Sequence, residues 1–178
     1  PVMTGKRDER ARRFDALARA HGADLYRFAL WLCGQEALAR DLVQETFLRA
    51  WKALEALRDD SAARSWLITI LRREYARTFE RKVPKLVDID AVPVPETGAP
   101  GPDRRAERDL LREAIAQLPP RYREPLLLQV VIGLSGAEIA QALDISQSAV
   151  MTRLFRAREK LMARVQRDGI TGNIDGPF

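Results

Sequence analysis

Five of the ten prolines stand close together, at Pro84, Pro93, Pro95, Pro100 and Pro102. The stretch around them, residues 83–103, also holds two glycines, one lysine and four acids. Proline has no amide proton to give and its ring clashes with the preceding helical turn, so neither a helix nor a central strand crosses such a stretch. A structureless loop of this length is also foreign to the inside of a compact domain. The stretch reads as an interdomain linker, mostly extended. It divides the chain into a first domain over 8–82, a linker over 83–104 and a second domain over 105–168. The 178 residues are enough for one ordinary domain or two small ones.

Both blocks carry helical periodicity, and no segment has sustained period-two alternation bounded by turn signals. Phe14, Leu17 and Ala18 share a face of a first helix that Gly22 is expected to end. Leu25, Phe28, Ala29 and Leu32 line a second, with Gly34 just past its end. A third is expected over about 36–54, with Leu38, Leu42, Val43, Phe47, Ala50 and Leu54 inward, and a fourth over about 62–81, anchored by Trp66, Leu67, Ile70, Leu71 and Tyr75. Beyond the linker, Leu110, Leu111, Ala114, Ile115 and Leu118 make one apolar face before Pro119-Pro120. The next helix is expected to begin near Pro125 and to end at Gly133. The fold class is therefore all-α: two small helical domains joined by a flexible linker. The tail, residues 169–178, is expected to be mobile.

Ser135, followed three residues later by Glu138, matches a capping box for a short helix ending near Leu143. Asp144-Ile145-Ser146 makes a tight turn, and Ser146 caps a long last helix. Short helix, tight turn and long helix spell a helix-turn-helix. At about 100° per residue, Val150, Leu154, Ala157, Leu161 and Val165 fall within about 80° of one another and must face the core. Ser148, Met151, Thr152, Phe155 and Arg156 lie opposite. Phe155 is a large aromatic off the apolar stripe, which a merely solvated helix gains little by exposing. Five basic residues and one acid lie between Ser146 and Arg164. A basic helix alone is more often a solvated face. The cap, turn, stripe and off-stripe aromatic together favour DNA, with serines and Arg156 for phosphates or base edges and Phe155 for thymine methyls.

Charge placement agrees. Residues 1–82 carry 17 basic and 12 acidic side chains, and residues 104–167 carry 12 and seven, so two basic blocks flank the acidic linker. The net charge of +5 suits polyanionic partners. The single cysteine, Cys33, follows Trp31-Leu32 and reads as a small core residue. It permits no intrachain disulfide, which fits a reducing cytoplasm, the expected location. No run reaches the ~18 apolar residues of a membrane span, and no secretory signal is read at the N-terminal end. One His and one Cys supply no zinc set. Neither a phosphate loop nor a nucleophile triad is present. No enzymatic activity, cofactor, metal or small-molecule substrate is expected.

The run from Leu134 to Leu161 (LSGAEIAQALDISQSAVMTRLFRAREKL) resembles the fourth conserved domain of extracytoplasmic-function (ECF) sigma factors, as does LPPRYRE from Leu118 to Glu124. DLVQETFLRAW, from Asp41 to Trp51, resembles their second conserved domain, with Trp66, Leu67 and Ile70 marking its next helix. The resemblance covers about 10–82 and 105–167, in family order. It implies a transcription initiation factor that binds core RNA polymerase, recognises promoter −10 and −35 elements, serves a stress or envelope-response regulon and is held by an anti-sigma factor, membrane-associated or soluble.

Residue by residue, it implies that Asp41, Gln44, Glu45 and Leu48 dock on the polymerase. The periodicity agrees that these four face away from the core. Pattern alone fits a solvated face with one stray leucine equally well. The loop over about 55–65 would receive an unpaired base, and Arg72, Arg73 and Arg77 would contact the −10 element, with Arg81 and Lys82 extending the basic flank. An ordinary charged helix partnered by Glu74 and Glu80 is the plainer reading of that flank. Ser146, Ser148, Met151, Thr152, Phe155 and Arg156 would read the −35 element. Met151 stands where the family often has Lys or Arg, and Arg73 where it usually has Asn, so the resemblance does not carry the family's usual −35 contact or its common −10 sequence over to these positions. Asp144 replaces a frequent glycine, and Asp tolerates the left-handed conformation. Two other readings remain: a sigma-like decoy that binds an anti-sigma factor without promoter activity, and a dimeric regulator using the helix-turn-helix alone.

Overall fold

The computed structural model describes residues 2–80 and 102–167. Among these the chain is helical, without strands: α1 (Val2–Cys33), α2 (Glu36–Lys52), α3 (Ala63–Glu80), α4 (Pro102–Ala116), α5 (Pro120–Val130), α6 (Gly136–Leu143) and α7 (Gln147–Arg167). Two short 3-10 turns, Leu54–Ala56 and Asp60–Ala62, join α2 to α3. Most of the expected linker lies outside the described residues, as do Arg81, Lys82 and the tail. The last three positions of that linker, Pro102–Arg104, form the first turn of α4.

The first two expected helices are one. Gly22 does not end a helix, and α1 runs through it to Cys33. A mid-helix glycine costs about 1 kcal/mol relative to alanine. Leu17 before it, and Leu25, Phe28 and Leu32 after it, are all buried, so both halves gain by staying on one axis. A methyl group at Gly22 would meet the Phe47 ring at 3.9 Å, ordinary contact distance. The break comes instead at Gly34, whose φ of 65° is the left-handed conformation that closes a helix. Its amide donates to the Leu30 carbonyl at 2.8 Å.

Helices α1, α2 and α3 pack mutually around Phe28, Ala29, Leu42, Ala50, Leu67, Ile68 and Leu71. Each fully buried Leu or Phe contributes about 1.5–3 kcal/mol. Thr46 is buried too, and satisfies its hydroxyl by donating to the Leu42 carbonyl at 2.7 Å. Cys33 lies in this core, where burial pushes its thiol pKa up. Trp66, expected inside, is half-buried at the edge of the core.

In the second unit, α4, α5 and α6 pack on α7 around Leu126, Leu127, Leu128, Ile139, Val150 and Leu154. Helix α5 begins at Pro120, not near Pro125, which sits inside it and is buried. Pro120 occupies the first helical position, where a missing amide costs nothing. The Tyr122 and Arg123 amides already donate to the Pro119 carbonyl, so the first turn is complete before Pro125 is reached.

Candidate nucleic-acid interface

The last two helices place the candidate recognition surface. Ser135 Oγ accepts from the Glu138 amide at 3.2 Å, and the Glu138 carboxylate accepts from the Ser135 amide at 2.7 Å, so α6 starts with both halves of a capping box. Asp144 closes α6 at φ 53°, ψ 50°, the left-handed position the turn requires. Ser146 Oγ then accepts from the Ala149 amide at 3.1 Å and caps α7. Val150, Leu154, Ala157 and Val165 face inward, and Leu161 is half-buried beside them.

Ser146, Ser148, Met151, Thr152, Phe155 and Arg156 are all exposed. The two largest apolar side chains among them, Met151 and Phe155, are 60% and 58% accessible. The structure brings these six together on the first three turns of α7, beside the helix N-terminus, where free amides and the helix dipole favour anions. Thr152 Oγ1 donates to the Ser148 carbonyl at 3.0 Å, and the Ser146 and Ser148 hydroxyls lie 3.3 Å apart.

Three of the basic side chains of α7, Arg156, Arg158 and Lys160, divide into two kinds. Arg156 is exposed and, among the described residues, pairs along its own helix with Glu159 at 2.9 Å. Arg158 is half-buried and donates to Gln129 on α5 at 2.6 Å, and the Lys160 ammonium lies 5.7 Å from the centre of the Tyr122 ring. The first can reach a ligand at no cost to the fold. The other two fasten α7 to α5.

On α2, Asp41, Gln44 and Leu48 are exposed and Glu45 is half-buried, paired with Arg49 at 3.0 Å. Leu48 is 51% accessible and Trp51, one turn on, 37%. The Trp51 ring is held edge-on by Phe14 and capped by the Arg10 guanidinium 4.8 Å above it. Sequence reasoning missed Arg10 and its neighbour Arg13. Arg13 donates to the Leu57 carbonyl and to Asp60, both at 2.6 Å, and so ties α1 to the loop between α2 and α3. Within that loop the Ser61 hydroxyl, and after it the Ser61 amide at 2.9 Å, hydrogen-bond to Asp59 and hold its carboxyl below the usual range.

The three arginines named on α3 do not share one surface. Arg73 and Arg77 are exposed, Arg77 resting on the buried Glu74 at 3.0 Å. Arg72 turns the other way and donates through two nitrogens to Glu124 of α5, at 2.7 and 3.0 Å. Among the described residues no three His, Cys, Asp or Glu side chains gather as a metal site, and no helix is long and apolar enough to cross a membrane.

Comparison with known proteins gives this geometry its family. Residues 17–83 match the family model "Sigma-70 region 2", and residues 108–161 match "Sigma-70, region 4". The chain is 36% identical to the ECF RNA polymerase sigma factor SigL of Mycobacterium tuberculosis, over 88% of this chain and 90% of that protein. It is 30% identical to the ECF sigma factor SigM of Bacillus subtilis, over 86% and 95%. The solved structure of CnrH in complex with the cytosolic domain of CnrY superposes with a TM-score of 0.68, at 28% identity, over 89% of this chain and 90% of CnrH. Two sigma-70 regions in order, on two helical units with a gap between them, make this chain a member of the ECF RNA polymerase sigma factor family.

Proposed function

We propose that the chain docks on core RNA polymerase through Asp41, Gln44, Glu45 and Leu48 of α2. It then reads the −35 element with Ser146, Ser148, Met151, Thr152, Phe155 and Arg156 of α7, and the −10 element with α3, where Arg73 and Arg77 are exposed and Arg72 is paired. Residues 8–82 and 105–168 act as the two working domains. The observation that carries this reading is the exposed α7 face. Met151 and Phe155 stand clear of the core, ringed by hydroxyls and Arg156, at the start of a capped recognition helix. The chemistry of initiation belongs to the polymerase. This chain contributes binding and strand opening in the cytoplasm and has no catalytic activity of its own. A protein partner that masks it, an anti-sigma factor, is supported by CnrH, which was solved bound to the cytosolic domain of CnrY.

Retention of DNA fragments tests the reading. Core polymerase carrying this chain is expected to retain fragments sharing two motifs, and the free chain to retain them weakly at physiological salt. Tight sequence-specific binding by the free chain would instead support a conventional regulator. Retention by neither would support a decoy.

A further inference from the structure

The loop that joins α2 to α3 is fastened from α1, by two arginines one turn apart. Arg10 takes its entrance, donating to the Trp51 carbonyl at 2.5 Å with Glu55 at 3.6 Å. Arg13 takes its middle. Its guanidinium donates to the Leu57 carbonyl at 2.6 Å and, through two nitrogens, to Asp60 Oδ1 at 2.6 and 2.9 Å. Arg58 and Asp59 stand between the two positions that Arg13 holds, and both are exposed. The Asp59 carboxylate accepts in turn from the Ser61 amide. A short exposed tip is thus bonded at both ends and across its middle.

Stability of the fold does not account for this clamp. Leu54, Leu57 and Ala63 are buried together with Leu17 of α1, and each buried leucine contributes about 1.5–3 kcal/mol. Arg13 and Asp60 are 32% and 59% accessible, and exposed pairs add little. What the clamp fixes is geometry. A guanidinium is a planar fork with donors at set angles, so bonds to a carbonyl and a carboxylate three residues apart hold the backbone between them. Charge adds a second reason. Between residues 55 and 61 the loop has three acids, Glu55, Asp59 and Asp60, against Arg58 alone. Phosphates would repel such a loop, and Arg10 and Arg13 offset two of its carboxylates.

We propose that Arg13 is a positioning residue for promoter opening. By holding Leu57 and Asp60 it sets the Arg58–Asp59 tip, at the entrance to α3, where that tip sorts unpaired bases of the −10 element. Hydrogen bonds to base edges weaken steeply with misplacement, so a tip held by Leu57 burial alone loses selectivity before it loses binding. This rests on the sigma-factor reading for what the tip meets.

The test uses core polymerase carrying the full chain, and a promoter fragment that this complex retains. The fragment is left unpaired across its −10 element and prepared with each of the four bases at each unpaired position in turn. The readout is the ratio of affinities between the best and the worst base. Arg13→Lys keeps the charge and loses the fork. It is expected to lower that ratio by about 5-fold or more at one or two adjacent positions, with co-elution on core polymerase and helical content unchanged. Asp60→Ala removes the other half of the clamp and is expected to act at the same positions. Arg19→Ala, which removes an exposed pair with Asp15 on the same helix, is expected to change nothing. If the unmodified chain has base preferences and Arg13→Lys keeps them, the proposal alone is overturned. An equal loss for all four bases with a lower melting temperature, the signature of a plain structural brace, also overturns it. An unmodified chain without preference at any unpaired position takes the −10 part of the sigma-factor reading down with the proposal.

Discussion

Arg156→Ala is expected to weaken promoter binding by about 1–3 kcal/mol, roughly 5- to 150-fold, with folding intact. The magnitude is that of one good arginine contact to a base edge. Folding is spared because, among the described residues, the pairing lost is with Glu159, between side chains 56% and 49% accessible, and exposed pairs contribute little. The form of the loss identifies the contact. Relaxed preference at one promoter position means a base edge, whereas a uniform loss with a shallower salt dependence means a phosphate. Arg158→Ala is the informative contrast. Its side chain is half-buried and bonded to Gln129, so its removal is expected to lower thermal stability first. Titration of labelled promoter with reconstituted holoenzyme, beside a melting curve of each variant, separates the two. Unchanged promoter affinity for Arg156→Ala would remove α7 from recognition.

Leu48→Asp is expected to cost at least about 2 kcal/mol of affinity for core polymerase, roughly 30-fold, and to leave the helical content alone. The side chain is half out of the protein already, so a carboxylate there is solvated in the free chain. In the complex the same carboxylate would be buried without a partner, beside the acidic Asp41 and Glu45, and an unpaired buried charge is costly. Leu42→Asp, six residues earlier and 4% accessible, is expected to unfold α1–α3 instead. Gel filtration of each variant with core polymerase reads the difference. Full co-elution of Leu48→Asp at low micromolar concentration would show that this face is solvated and not an interface.

What was legible in the sequence was what local chemistry decides. The Ser135–Glu138 capping box, the left-handed Asp144 and the Ser146 cap are settled within three or four residues, and the structure has all three. The inward stripe of α7 follows from helical period alone. Gly22 misled because a glycine's local preference was outweighed by Leu17 and Leu25 packing on either side of it, a tertiary effect that no window near residue 22 contains. Pro125 misled in a similar way. Its cost is one backbone bond, which the buried Leu126, Leu127 and Leu128 offset. Periodicity placed Arg72, Arg73 and Arg77 on one helix but could not say that the first turns from the other two. Its partner Glu124 stands 52 positions away, and pairing at that separation leaves no periodic trace. The same holds for Arg13 and Asp60, 47 positions apart. Those long-range pairs fix the loop before α3 and the seam between the two units.

Run-off transcription on fragmented genomic DNA, with purified core polymerase and with or without this chain, addresses the proposed function itself. New transcripts that depend on the chain, and whose start sites share two upstream motifs about 25 base pairs apart, are the expected result. Co-elution with core polymerase without any new transcript would contradict it and leave a decoy, and indifference to core polymerase would contradict it altogether.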